Sequence, residues 1–522
     1  MPSEQTRRHF LFSSAMVGGG LLLGGSLAGC GDGAILGDDL ADADPVHGGR
    51  LRLGIEAGGQ SGNLDAHKPT GTSSTIRGFA LYSKLWEWND DMFPQLALAE
   101  FAEPSADASS WTIRLRQGLE FHHGKTISAD DVIFSVLRLT DPNLASSYGN
   151  IVSSVDRSKV TKLDDRTVRI GFKDGIGFVP LPDTWVNFGG IVPTDYHPIT
   201  NPVGAGPYRL KDFQPGRRSL FTRFENYFRE DRPYPDELEI IEFKDALTRY
   251  EALLSGQIDL AHSLGAEQAP LFKGEKRARL LVSPTNMWRS FNLNLDKPPF
   301  DDVRVRQAFR LLLDREDMVQ RVLYGQGRIA NDLYAPHDPT FNHSIPQREH
   351  DPVEARRLLR QAGIGSQTIE LVSDPVGAGA ALVLAEQFAQ HDIKIKVKQV
   401  DPSIFNGPLR NSWSFSTGGS IGHPFLAAAA GADGPLSQAN RSNFRDPRFY
   451  ELIDQAMRTP DVEERKPLVH EAQQIQHDRG GLLIWGFSDT LDGIAPGVGG
   501  IKAERSHFPT WRFDRIWLNR QV

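Results

Sequence analysis

At 522 residues the chain is too long for one ordinary hydrophobic core, so two or more lobes are expected. Hydrophobic residues make up 39% and charged residues 24%, a balance that excludes an intrinsically disordered chain and fits a soluble globular one. The formal charge of −8, with no block of like charges, argues against a nucleic-acid partner.

The chain opens with Arg7-Arg8, then Phe10-Leu11 and an apolar stretch to Leu27, the layout of an export signal over 1–29. The pair in TRRHFLF resembles a twin-arginine signal, and Leu27-Ala28-Gly29-Cys30 resembles a lipobox, in which the cysteine becomes the lipidated first residue. Two alternatives stand beside this reading. An uncleaved anchor over 11–29 is long enough to span a bilayer but too rich in glycine for a good helix. Cleavage at Ala41-Asp42-Ala43 lies far from the apolar run. Cys30 is the only cysteine of the chain, so no disulfide forms within it. Residues 30–46 are small and acidic and read as a flexible tether. The expectation is a membrane-anchored lipoprotein, periplasmic or on the cell surface, exported by the twin-arginine route and touching membrane lipid through its N-terminus.

Beyond the tether, helical and strand signals alternate without an internal repeat. Leu51, Leu53 and Ile55 alternate with Arg52 and Gly54 and predict a first strand; 111–116, 168–172 and 393–397 alternate in the same way. Phe121-His122-His123-Gly124 predicts a turn, and Ser128 to Asp131 a capping box that opens a helix. Residues 245–255 predict a helix closed at Gly256, and Asp351-Pro352 and Asp446-Pro447 each place an N-cap before a first-turn proline. Residues 462–478 read as a helix that Pro467 kinks or starts late. The mixture predicts an α/β fold with mixed sheets.

Three patterns invite chemistry. Gly418-Gly419-Ser420-Ile421-Gly422 fits G-x-S-x-G, with NSWSFST before it as a strand and PFLAAAA after it as a helix, so an exported serine hydrolase using Ser420 is one reading. The pattern also arises easily in a chain with 50 glycines. The adjacent His122 and His123 read as surface residues of a turn, and His423 is the better metal or ligand candidate, though no metal site is expected. Gly377-Ala378-Gly379 lacks the third glycine and acidic partner of a dinucleotide site, so no cofactor is expected.

Five segments, in order, resemble the family 5 solute-binding proteins of ABC importers: WTIRLRQGLEFHHGKTISADDV (111–132), GAGPY (204–208), ALLSGQIDL (252–260), PPFDDVRVRQAFRLLLDR (298–315) and 351–363. The fourth also has a reading of its own. Its prolines forbid helix, Asp301 or Asp302 caps the helix that follows, and Val305, Phe309 and Leu312 share one face, so the segment is structural. The resemblance implies a two-lobed periplasmic-binding-protein-like fold with a hinged cleft. Lobe 1 would comprise 47–285 plus 486–522, with a subdomain inserted at about 80–190, and lobe 2 would comprise 286–485. It implies a monomeric binder, not an enzyme, that captures a peptide or other small polar organic solute by closure and delivers it to an ABC permease. A receptor or chaperone role on the same scaffold stays open.

The resemblance also places a site. In peptide-binding members the acid that meets the ligand's amine stands four residues before a proline; here Pro424 matches the proline and Ser420 takes the acid's place, which puts binding of free-amine peptides in doubt. Thr70, Thr72 and Ser73 lie in the loop that lines the pocket in relatives. Trp413, Phe415 and Ser416 lead into the Ser420 turn, where the aromatics would form a wall; Trp288 and Arg289 lie in the expected crossing strand, where Arg289 would meet a ligand carboxylate. With Ser420 and His423 these make up the expected binding residues; no catalytic residue is expected.

Overall fold

The computed structural model describes residues 43–519, apart from 58–61, 147, 150–151, 188, 366 and 438. The expected export signal, Cys30 and all but the last four residues of the tether lie outside the described residues. Among those described, no helix is long and apolar enough to cross a membrane.

Two long antiparallel strands, Arg279–Leu293 and Leu482–Ile494, pair along most of their length and organise an eleven-stranded mixed sheet. On one side of the pair follow Leu260–Ala261, Arg50–Glu56, Glu237–Phe243, Arg218–Arg223 and Tyr208–Gln214. On the other lie Phe415–Ser420, Thr368–Ser373 and Lys394–Gln399, and the short Gly327–Ile329 pairs with Leu482–Ile494 off this path. The chain is thus a two-lobed α/β molecule whose halves share two strands. The register of the pair shifts between Ser283 and Met287 and again between Arg289 and Ser290, where the strands depart from a regular ladder. A separate four-stranded antiparallel sheet, Ala99–Pro104, Ser110–Leu115, Thr167–Phe172 and Val155–Lys162, falls within the expected inserted segment.

The buried side chains show how the halves cohere. One core draws only on residues from Phe291 to Trp485 and is rich in rings packed tilted or edge-on, Phe300 and Phe309 against Phe415. A second and larger core joins Leu51, Leu53 and Ile55 to Trp111, Phe178 and Trp511, and also takes in Phe425, Phe449 and Met457. The helices Phe425–Gly431, Pro447–Met457 and Val462–Arg479 therefore pack with the first part of the chain as well as with the second. Val179 N–H donates to Met457 C=O at 2.9 Å at this contact.

Local chemistry sets the elements. Ser128 and Asp131 form the capping box of the Ala129–Leu139 helix, Asp131 accepting from the Ser128 N–H at 3.0 Å. Asp302 caps the Val303–Leu312 helix through the Arg304 N–H at 2.8 Å. The helix carrying Pro467 starts at Val462, capped by Asp461, and runs unbroken to Arg479. The glycines of GAGPY do not supply an unusual turn; at Gly204 and Gly206 the backbone lies so close to Leu81 and Ala80 that a Cβ would collide with their carbonyls. His122 fastens this loop to the F-H-H-G turn, its Nε2 3.0 Å from Gly206 C=O. His122 is half-buried and His123 exposed, and desolvation holds the His122 pKa at about 4.

Val305, Phe309 and Leu312 are fully buried, as the helical face requires. Two arginines of the same helix are buried as well. Arg306 donates to Arg479 C=O at 2.8 Å, and Arg310 to Gly480 C=O at 2.7 Å, so both satisfy carbonyls at the end of the Val462–Arg479 helix. Beside them Asp332, fully buried, receives Arg315 at 2.8 Å and Arg348 at 2.9 Å. Burial raises the Asp332 pKa, but Arg315, Arg310 and Arg348 outweigh it and hold the carboxyl below its usual range. Its stabilising contribution is therefore present at neutral pH and lost as pH falls through the depressed value. Asp332→Asn strands three cations, and urea unfolding at pH 7 should show a loss of about 3–5 kcal/mol. Arg304→Ala, at the exposed end of the same helix, should cost under about 1 kcal/mol.

Candidate functional site

A cavity of about 1070 Å³ lies where the halves of the sheet meet. Met287 to Ser290 and Ser488 to Leu491 of the two long strands form its middle; Glu56 and the start of the Ala246–Leu254 helix lie on one wall, and Asp374, Arg410, Arg441 and residues 417–421 on the other. Trp288, Arg289, Ser420 and His423 all line it, so four expected binding residues are brought together.

The register explains the glycine-rich stretch. Trp288 stands opposite Ser420, and Arg289 opposite Gly419. A Cβ at Gly419 would come within 2.6 Å of the Trp288 carbonyl, and one at Gly422 would run into Asn286. The glycines therefore let two backbones approach, a task unrelated to an exposed nucleophile. Ser420 ends its strand, and an extended stretch separates it from the helix that starts at Phe425. No imidazole hydrogen-bonds to its hydroxyl among the described residues, so the hydrolase reading lacks its general base.

Trp288 is buried, with its indole N–H unpartnered and its ring 6.1 Å from Tyr334. Tyr334 in turn stacks on Phe425 at 5.2 Å and donates to Asp433 at 2.8 Å. Arg289 donates to Ser488 Oγ at 3.2 Å, and burial lowers its pKa while Asp374 opposes the shift. His423 Nδ1 is buried without a partner, and burial pushes the ring down to about 4. His507, also kept neutral by burial, lies within range of both His423 and His262. Among the described residues no group of three His, Cys, Asp or Glu side chains could hold a metal.

The other expected residues sit elsewhere. Thr70, Thr72 and Ser73 lie at the start of the Thr72–Leu81 helix, where Thr70 C=O accepts from Ser74 Oγ at 3.1 Å; none lines the cavity. Phe415 is wholly buried among the rings of its core, at the start of a strand that reaches the cavity only from Thr417 onward. Ser416 Oγ is taken by Asn292 Nδ2 at 3.1 Å, and the Trp413 ring lies under Lys398 Nζ at 6.0 Å. Asp374, Asn406, Arg410 and Arg441 were not singled out by the sequence. Their segments, such as NRSNF, carry no periodic signal; the hint was a charge in a stretch otherwise small and polar.

A family model described as "Bacterial extracellular solute-binding proteins, family 5 Middle" matches residues 93–428. The chain belongs to that family. Among relatives of this family 5 protein, Heme-binding protein A of Haemophilus influenzae is 26% identical over 481 residues, covering 82% of this chain and 86% of the relative. A dipeptide-binding protein of Escherichia coli K12 is 25% identical over 481 residues, covering 83% and 88%. In fold it is similar to NikA from Brucella suis, solved in complex with Fe(III)-EDTA, with TM-score 0.79, 21% identity, and coverage of 90% of this chain and 100% of that one.

A pH dependence follows for this family 5 protein. The unfolded His423 takes its proton near pH 6.5, the folded one only near 4, so stability falls as pH drops through that window. His423→Asn should flatten this part of the thermal melting profile between pH 6.5 and 4, and leave the melting temperature at pH 8 less affected.

Proposed function

We propose that this family 5 protein is the substrate-binding component of an ABC importer, capturing a peptide or other small polar organic solute in the cavity between its halves. The observation that carries the reading is the convergence of Trp288, Arg289, Ser420 and His423, drawn from two different segments, on one cavity beside the shared strands. Closure follows only when a ligand touches both walls and favours the closed arrangement, after which the protein docks on its permease. The heme- and dipeptide-binding relatives show that one scaffold serves unlike solutes, so the ligand is set by the side chains of this cavity. Binding is non-covalent and the protein is not an enzyme. It acts as a monomer.

Native mass spectrometry of the purified protein should return one small molecule per chain, and adding that molecule back should shift tryptophan fluorescence and raise the melting temperature. Trp288→Phe should remove most of the fluorescence change. Ser420→Ala should weaken binding by about fivefold or less, the worth of one neutral hydrogen bond. If a broad solute panel moves neither fluorescence nor melting temperature, and nothing co-purifies, the carrier reading fails.

The same reading includes export through the twin-arginine route, a lipid anchor at Cys30 and the acidic stretch 30–46 as the tether to the membrane surface. Metabolic labelling with an alkyne fatty acid should mark the wild-type protein and not Cys30→Ser, which should appear in the soluble fraction instead.

A further inference from the structure

One wall of the cleft is charged out of balance. Arg289, Arg410 and Arg441 lie on or beside it with two carboxylates, Asp374 and Asp489, and Asp489 is already ion-paired with Arg328 at 2.7 Å, which leaves Asp374 alone against the three arginines. The Asp374 carboxylate already accepts from the Gly377 N–H at 3.0 Å. Arg289 projects opposite Gly419, where no side chain competes for space, and its nitrogen contacts are Ser488 Oγ at 3.2 Å and Met287 Sδ at 3.5 Å, both neutral. Arg441 is held by Asn406 Oδ1 at 2.6 Å and lies 5.0 Å above the Phe405 ring, two contacts that orient it without neutralising it. Among the described residues no carboxylate forms an ion pair with Arg289 or Arg441. Burial depresses both guanidinium pKa values, and in Arg441 the neighbouring Arg410 depresses it further. Arginine stays ionised all the same, so this wall holds an excess of two positive charges. The segment from Phe415 to Phe425 has no acid that could receive an ammonium group. The facing wall is close to balance, Glu56, Asp245 and Glu267 standing against Lys244 and Arg249.

Resting on the reading of this cavity as the ligand cleft, we propose that its ligand is a solute bearing two or more carboxylates, which bind the wall formed by Arg289, Arg410 and Arg441. Guanidinium and carboxylate match as planar, doubly hydrogen-bonded partners, and a desolvated arginine gains most from a partner of that shape. Ser420 then serves as a neutral neighbour for an uncharged end of the ligand.

The test is calorimetric titration of the exhaustively dialysed full-length protein with N-acetyl-Glu-Glu-Glu, its neutral counterpart N-acetyl-Gln-Gln-Gln-amide and the cationic N-acetyl-Lys-Lys-Lys-amide. The acidic peptide should bind at least about tenfold more tightly than the neutral one, with an affinity that falls as salt rises, and the cationic peptide should not bind. Arg289→Gln and Arg441→Gln should each weaken the acidic peptide by about tenfold or more, while Arg357→Gln, on an exposed helix, should not. Arg289→Lys and Arg441→Lys, which keep the charge and spare the fold, should lose less than the glutamine variants. Equal or tighter binding of the neutral or cationic peptide overturns the proposal and leaves the carrier reading standing. So does undiminished affinity in glutamine variants that keep the wild-type circular dichroism spectrum. If none of the three peptides binds, the proposal also fails, and the co-purified molecule decides the carrier reading by itself.

Discussion

Backbone pairing between Arg279–Leu293 and Leu482–Ile494 is the constraint on which the rest of the molecule depends. Among the described residues these strands stand at the centre of the large sheet and join its two sides, and their hydrogen bonds must persist if buried peptide groups are to stay satisfied. The register shifts at Ser283/Met287 and Arg289/Ser290 interrupt the ladder beside the cavity. Twist can change there without breaking the pairing elsewhere. The larger core crosses this pair, since it joins the helices between 425 and 479 to the first part of the chain, so side-chain packing ties the halves together as well as the sheet does.

Arginine does two separate jobs in this fold. Arg306, Arg310 and Arg348 lie against the end of a helix and a buried carboxylate, where their charge meets carbonyl dipoles and Asp332. Arg289 and Arg441 are half-buried and hydrogen-bond only to neutral groups. In the first set the charge is met inside the protein, by Asp332 and by backbone carbonyls. In the second it is left to whatever enters from outside.

Much of the fold could be read directly from the chain. The alternation of Leu51, Leu53 and Ile55, the Asp-Pro helix starts and the Ser128–Asp131 box are local signals, and each element formed where its signal stood. Of the site, Trp288, Arg289, Ser420 and His423 were legible because two recognisable segments cross there. Thr70, Thr72 and Ser73 were expected in the cleft, but they sit at a helix start away from the cavity, Thr70 bonded to Ser74 and the Ser73 hydroxyl buried. Phe415 and Ser416 show that a strand's sequence does not say how far along it the cavity begins; both lie at the buried start of the strand, and only 417–420 reach the opening. Asp374, Arg410 and Arg441 reach the wall from loops whose path only the tertiary structure fixes.

The close approach of the 418–422 stretch to the crossing strand also bears on how such a protein can diverge. At Gly419 and Gly422 a Cβ would collide with the Trp288 carbonyl and with Asn286, so these two positions admit only glycine. Positions 420, 421 and 423 carry side chains into the cavity from that fixed frame. Selection can therefore swap those three residues, and with them the taste of the cleft, as an exchangeable cassette that leaves the scaffold untouched.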